Sequence, residues 1–269
     1  MNTLNDDFKP GLLEGERAFP EISIRGLCKR FGADVIYGGF DLDIPRKQVT
    51  AFFGPNGCGK STLMNMVAGL IRHDSGSILF DGREVKDVRI GYVFQNYRDA
   101  LFPWLRAIDN IAYPLKVAGW PGERIRSRLD ELVAAFDLQF DLKRYPYQLS
   151  GGQQQLVSIL RALAPDPEVI FLDEPFSALD FEMTLFVREK LQQLIVTTRK
   201  TLVVVSHDLE DAIYLSDQLV LLTRRPTRVA EVVSVPLPWP RDPAVVTEAP
   251  FARIKAHSLA VFQREVRKP

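Results

Sequence analysis

The sequence predicts an α/β protein built on a mostly parallel sheet core, accompanied by an antiparallel β subdomain and a helical insertion. Three observations carry that expectation. Apolar runs rich in β-branched residues recur as QVTAFF, EVIFLDEP, TLVVVSHD and QLVLLT, the composition of strands buried on both faces. The first of them leads into a glycine-rich loop and then into STLMNMVAGLI, Ser61 to Ile71, whose apolar spacing is helical. Between residues 96 and 164 strand signals stop and helical patterns take over in DNIAYPLKVAG, RIRSRLDELVAAFDL and LSGGQQQLVSILRAL.

In chain order, residues 1–20 carry early acids and no apolar core, so they read as a mobile arm and not as a signal peptide. One domain is expected over 21–223. EISIRGLCKRF and GGFDLDI read as strands, Gly76 and Asp81-Gly82 are turn signals around the strand in DSGSILFDGREV, and RIGYVFQ is a strand ending at Gln95. The helical subdomain follows over about 96–164, and the core strands resume after it. Beyond Thr223, Pro226, Pro236, Pro238, Pro240, Pro243 and Pro250 exclude helix and central strand, and FARIKAHSLAVFQREV closes a proline-rich extension, 224–269, with a helix.

Composition narrows the function. A chain of 269 residues that is 46% hydrophobic can bury a real core. Its 34 Lys and Arg equal its 34 Asp and Glu, which disfavours a dedicated nucleic-acid binder. Two cysteines, Cys28 and Cys58, are too few for a disulfide framework and point to a reducing cytoplasm. No apolar run approaches the roughly 18 residues of a spanning helix.

The chemistry concentrates in a few motifs. GPNGCGKST, with Gly54, Pro55, Asn56, Gly57, Cys58, Gly59, Lys60, Ser61 and Thr62, satisfies G-x-x-x-x-G-K-[ST]. Such a loop turns backbone N–H groups onto phosphates, with Lys60 reaching the outer phosphates and the Ser61 hydroxyl holding Mg²⁺. In this strand–loop–helix context the motif resembles that of a P-loop NTPase core of RecA-like type. VIFLDEP ends a buried strand with Asp173 and Glu174, at the sheet edge where ligands of open α/β folds bind. Asp173 would bind Mg²⁺, directly or through water, and Glu174 would polarise the attacking water as general base; a solvated acid pair at a strand end is the bland alternative. His207 in VVVSHD is placed to report a γ-phosphate, and the Gln95 amide to touch Mg²⁺ or the water. Phe31 could stack on a base, but a single phenylalanine at a strand end is more often core, and from the residues alone the core reading wins. Cys58, at the amino end of a helix, is expected to have a somewhat lowered pKa and to be an alkylation handle. LSGGQ opens a helix: Ser150 and Gln153 have capping-box spacing, which leaves Gly151 and Gly152 unexplained.

The ordered set GPNGCGKST, VFQ, LSGGQ, VIFLDEP, SALD and VVVSHD resembles the ATP-binding subunit of ABC transporters, over about Glu21 to Thr223. The resemblance implies ATP and Mg²⁺ as cofactors and two subunits packed head to tail. Each ATP then lies between one P-loop and the partner's Ser150, Gly151, Gly152 and Gln153. It makes Gln95 the link to transmembrane permease subunits, His207 the switch histidine, Asp180 the D-loop aspartate and Phe31 the aromatic on adenine. NYRDALFPWLRAIDNIAYPLKVAG and SDQLVLLTRRPTRVAEVVSVPLPWPRD are similar to importer ATPases for nitrate, sulfonate and taurine, which implies a solute-binding protein upstream and a place on the cytoplasmic face of the inner membrane. Leu156, where the family usually has arginine, departs from the pattern and puts a polar contact of the signature helix in doubt; Lys47-Gln48 departs from the usual Gly-Glu. A soluble ABC-type ATPase acting on nucleic acid or ribosomes is the competing expectation; the balanced charge and the single cassette with one modest insertion argue against it.

Overall fold

The apolar runs form strands that leave no face to water. In the computed structural model, which describes residues 21–177, 179–198 and 200–267, β3 (Val49–Phe53), β6 (Val169–Asp173) and β7 (Thr201–Val205) are buried at every position. The expected N-terminal arm, 1–20, lies outside the described residues. Together with β5 (Ile90–Val93), β8 (Gln218–Leu222) and β9 (Val229–Ser234) these strands make a six-stranded sheet in the order β5-β6-β7-β3-β8-β9. All pairings are parallel except β8 with β9. β9 extends this sheet from within the proline-rich stretch. It does so at the edge, with no proline inside it, as the missing proline N–H requires.

The antiparallel part is a separate three-stranded sheet, β2-β1-β4, of β1 (Ile22–Phe31), β2 (Asp34–Ile44) and β4 (Ser75–Phe80). α1 (Lys60–Val67) follows the glycine loop but stops short of the Ile71 expected from its periodicity. Gly69, with φ +73°, turns the chain in the left-handed region and ends the helix there.

The insertion holds α2 (Tyr97–Ala100), α3 (Ala107–Val117), α4 (Gly122–Ala135) and α5 (Gly151–Leu163). Their apolar faces share one core with the sheet, joining Leu115, Leu129 and Leu160 to Ile170 and Leu202. Leu156 is 1% exposed within that core, so the position where a polar contact was in doubt is a packing position here. α5 lies so close to β5 that a Cβ on Gly91 would sit 2.6 Å from the Ala162 carbonyl oxygen. Beyond β6 come α6 (Phe181–Thr198) and, after β7, α7 (Leu209–Tyr214); α8 (Ala249–Arg267) ends the described chain and, against expectation, takes in Pro250, in the first turn where its missing N–H is no loss.

Arg241 fastens the extension to the domain. It is 3% exposed, donates to the carbonyls of Ile213 and Tyr214 at 2.8 Å and of Leu237 at 3.2 Å, and stacks over the Trp239 ring at 4.0 Å. Burial lowers its pKa to about 10, which still leaves it cationic at neutral pH. Arg241→Ala is expected to cost about 3 kcal/mol, because several carbonyls lose a charged donor together. Urea unfolding of both proteins measures it, and a loss below about 1 kcal/mol would show that the clamp contributes no more than one neutral hydrogen bond.

Candidate active site

The P-loop is shaped by contacts to its carbonyl groups. Lys60 donates to the carbonyls of Gly54 at 2.8 Å and Pro55 at 3.1 Å, the Tyr37 hydroxyl donates to that of Gly59 at 2.9 Å, and the Thr227 hydroxyl donates to that of Cys58. With those acceptors engaged, the amide side of the loop, continuous with the unpaired first-turn N–H groups of α1, is the face open to an anion. Gly59 cannot be replaced cheaply: its φ is +117°, and a Cβ there would meet Ile36 Cγ2 at 2.6 Å.

Asp173 ends β6 beneath that loop. It is 5% exposed, and the Ser61 hydroxyl donates to its Oδ1 at 3.2 Å. Burial pushes its carboxyl up to about 6; the Ser61 hydroxyl opposes this, and the adjacent Glu174 charge adds to it. Glu174, the next residue, has φ +49°, unusual for a side chain with a Cβ, and its N–H donates to Val205 O at 2.9 Å on the neighbouring strand. That turn sends the two carboxylates of one dipeptide to different places. Glu174 Oε2 accepts the Gln95 amide at 2.8 Å and lies 3.1 Å from His207 Nδ1.

Gly57, Lys60, Ser61, Gln95, Glu174 and His207 line one cavity of about 490 Å³. Residues scattered over 150 positions of sequence thus meet in a space that combines an anion-binding loop, a cation, hard oxygen donors and a carboxylate positioned to take a proton. The donor set fits magnesium: Ser61 and Asp173 supply neighbouring hard oxygens, and a cation there would relieve the burial penalty on Asp173. Among the described residues no group of three or more His, Cys, Asp or Glu forms a metal cage. Magnesium needs none, since it keeps waters and phosphate oxygens in its shell.

Other expected site residues lie elsewhere. Gln95 stands two residues beyond β5, which ends at Val93 and not at Gln95 itself. Phe31 is 50% exposed at the end of β1, which sets the core alternative aside; its ring carries Lys29 Nζ at 5.1 Å and does not border the cavity. Ser150 caps α5 with its hydroxyl accepting from the Gln153 N–H at 3.3 Å, and Gln153 Oε1 accepts from the Ser150 N–H at 3.0 Å, the expected capping box. A Cβ on Gly152 would lie 1.9 Å from Met183 Cγ, so that glycine has a packing reason of its own. Asp180 caps α6 through the Met183 N–H at 2.8 Å. Neither the LSGGQ stretch nor Asp180 borders this cavity.

Cys58 corrects an expectation. It is 2% exposed, and burial raises the thiol pKa, outweighing the Lys60 ammonium that lowers it, so it is neither acidic nor an accessible handle. Tyr37, Thr227 and Arg225, the last a lining residue of the cavity, were missed by motif reading. They sit on loops and strands with no spacing pattern of their own; the RRPT turn directly after an apolar strand was the available signal.

The Asp173 pKa fixes a pH dependence. Its folded-state value, about 6, lies above the ordinary unfolded value near 3.9, so the folded protein binds the extra proton between them and loses stability as pH rises through that window. Asp173→Asn removes the penalty, and nucleotide-free protein should gain about 2 kcal/mol at pH 7.5, with a smaller gain at pH 5. Denaturant melts at both pH values check this; an equal gain at both would rule out the ionisation as its source.

Comparison with known proteins agrees with the motif order. The family model described as "ABC transporter" matches residues 37–177. The chain is 37% identical over 230 residues to an uncharacterised ABC transporter ATP-binding protein of Methanocaldococcus jannaschii, covering 85% of this chain and 84% of that one. It is 40% identical to the sulfate/thiosulfate import ATP-binding protein CysA of Xylella fastidiosa, covering 79% of this chain but 63% of that longer protein. A bacterial ABC transporter cassette, solved as a dimer and again as a dimer bound to ADP and Pi, superposes with TM-score 0.70 at 29% identity, over 80% of this chain and 98% of the cassette. With the P-loop, the acid pair and His207 gathered on one sheet edge, this chain belongs to the ABC transporter family as one of its ATP-hydrolysing cassettes.

Proposed function

We propose that the chain powers an importer: two copies pack head to tail, each ATP lies between the P-loop of one and the LSGGQ stretch of the other, and closure drives transmembrane permease subunits at the cytoplasmic face of the inner membrane. The observation that carries this reading is the convergence of Gln95 and His207 on Glu174 Oε2 in the cavity that holds Lys60. One carboxylate is thereby linked to the loop expected to face the permease and to the strand expected to sense the phosphate. Supporting the pairing, the LSGGQ stretch has helix-start geometry but no place in its own chain's cavity.

In the reaction so assigned, Lys60 exchanges its loop carbonyls for phosphate oxygens, and Ser61 and Asp173 would hold magnesium. The bound ion supplies neutralisation of phosphate charge. Glu174 takes a proton from the water whose oxygen forms the new bond to the terminal phosphorus, while the bond to the ADP oxygen breaks. Gln95 fixes that carboxylate, and His207 stands beside it. Gln155 donates to Pro175 O at 3.0 Å, which ties the signature helix to the loop carrying Glu174.

For the solute, we infer the nitrate, sulfonate or taurine class, delivered by a solute-binding protein. The support is the resemblance of the 96–119 and 216–242 stretches and the likeness to a sulfate/thiosulfate import protein. A role on nucleic acid is disfavoured by equal numbers of acidic and basic residues.

Glu174→Gln should keep ATP binding, lower turnover by about 100-fold or more, and accumulate dimer in ATP on size exclusion; normal turnover would remove Glu174 from the role of base. Gly151→Asp should fold with unchanged melting yet abolish hydrolysis, and mixed with Lys60→Ala subunits it should recover at most one working site per dimer. Full activity of Gly151→Asp homodimers would reduce LSGGQ to a helix cap.

A further inference from the structure

The nucleotide cavity has one lining residue outside the P-loop, VFQ, VIFLDEP and VVVSHD motifs, within the 216–242 stretch. Arg225, in the turn between β8 and β9, borders the 490 Å³ space with Lys60, Gln95, Glu174 and His207. It also borders an adjoining space of about 840 Å³ with Asn56, Gly57 and His207.

The turn that carries it is fastened to the P-loop. Thr227, 1% exposed, donates its hydroxyl to the Cys58 carbonyl and its N–H to Ile36 O at 2.8 Å, and the Thr223 N–H closes the turn on Arg228 O at 3.0 Å. Arg225 therefore starts from a backbone held against the phosphate loop, which reduces the entropy lost when its side chain engages an anion. Its charge is felt there: against the burial that raises both groups, Arg225 pulls the Cys58 thiol and the Tyr37 hydroxyl down. Among the described residues it has no hydrogen-bonding or ionic partner. Glu265, the acid bordering the outer side of the turn, lies 3.8 Å from Arg264.

A cation with no partner among the described residues, anchored beside an anion-binding loop, lacks only the anion. The choice of phosphate follows from its neighbours. Gln95, Glu174 and His207 are the groups assigned above to the reacting end of the nucleotide, and Arg225 shares their space. We propose that Arg225 contacts the terminal phosphate of bound ATP and makes the site favour ATP over ADP. This rests on the ATPase reading of the cavity. It adds a specificity residue that depends on the extension's first turn and on no part of the P-loop sequence.

The test is equilibrium titration of the full chain by calorimetry with magnesium ADP and with the magnesium complex of a non-hydrolysable ATP analogue. Arg225→Ala, at an exposed position, should melt like the parent, weaken the analogue about tenfold and weaken ADP less than about threefold, as expected for loss of one charge-assisted contact to the terminal group. Arg225→Lys should recover part of the difference. Arg224→Ala, at the neighbour that borders the larger space but not the 490 Å³ cavity, should leave the analogue-to-ADP ratio unchanged. Equal weakening of both nucleotides by Arg225→Ala, or no weakening of either, overturns the assignment while the ATPase reading stands. Failure of the parent chain to bind either nucleotide overturns both.

Discussion

Parallel pairing of four adjacent strands is the constraint on which the rest depends. In the order β5-β6-β7-β3 each strand delivers one piece of the candidate site from its carboxyl end: Gln95, the Asp173-Glu174 pair, His207 and the P-loop. With strands about 4.8 Å apart, the four ends span about 14 Å, a distance that a triphosphate and its metal can bridge. Register matters as much as order. Asp173 pairs with Val205 and Phe52 with Val205, so the pieces emerge level with one another. A slip by one residue would turn every side chain at one strand's end to the opposite face of the sheet.

Within that frame the site balances opposed demands on two neighbouring carboxylates. Asp173 is buried, which raises its carboxyl pKa to about 6 against the Ser61 hydroxyl, whereas Glu174 is turned by a left-handed backbone into the cavity to meet an amide and an imidazole. A straight continuation of β6 would have alternated the two side chains across the sheet. The positive φ is therefore what puts the second carboxylate beside the residues of the two flanking strands.

Much of this was legible in the sequence, and for identifiable reasons. Strands buried on both faces announce themselves by composition, and a glycine loop between such a strand and a helix states its own chemistry, so the sheet core, Lys60, Ser61 and the acid pair could be placed from QVTAFF, GPNGCGKST and VIFLDEP. Tertiary effects were not legible. Proximity to a helix start suggested an acidic Cys58, but burial decides its thiol; periodicity carried α1 to Ile71, but a left-handed glycine stops it. The capping box left Gly152 unexplained, and Met183, thirty-one positions away in sequence, supplies a steric reason for it. Arg225 and Thr227 had no spacing signature because their roles come from a turn folding back on a loop 169 residues earlier.

The close approach of α5 to Gly91 has a mechanical meaning. That end of the helix is pinned, because the sheet backbone leaves no room at Ala162 for sliding or for a side chain in between. The other end carries Ser150, exposed and bonded within its own first turn. At about 1.5 Å per residue the arm between them is about 18 Å long, so a tilt of about 10° at the fulcrum swings Ser150 by roughly 3 Å. Gly152 packed against Met183 of α6 and the Gln155 bond to Pro175 O hold the early part of the helix too, so such a tilt would have to carry α6 and the loop after Glu174 with it.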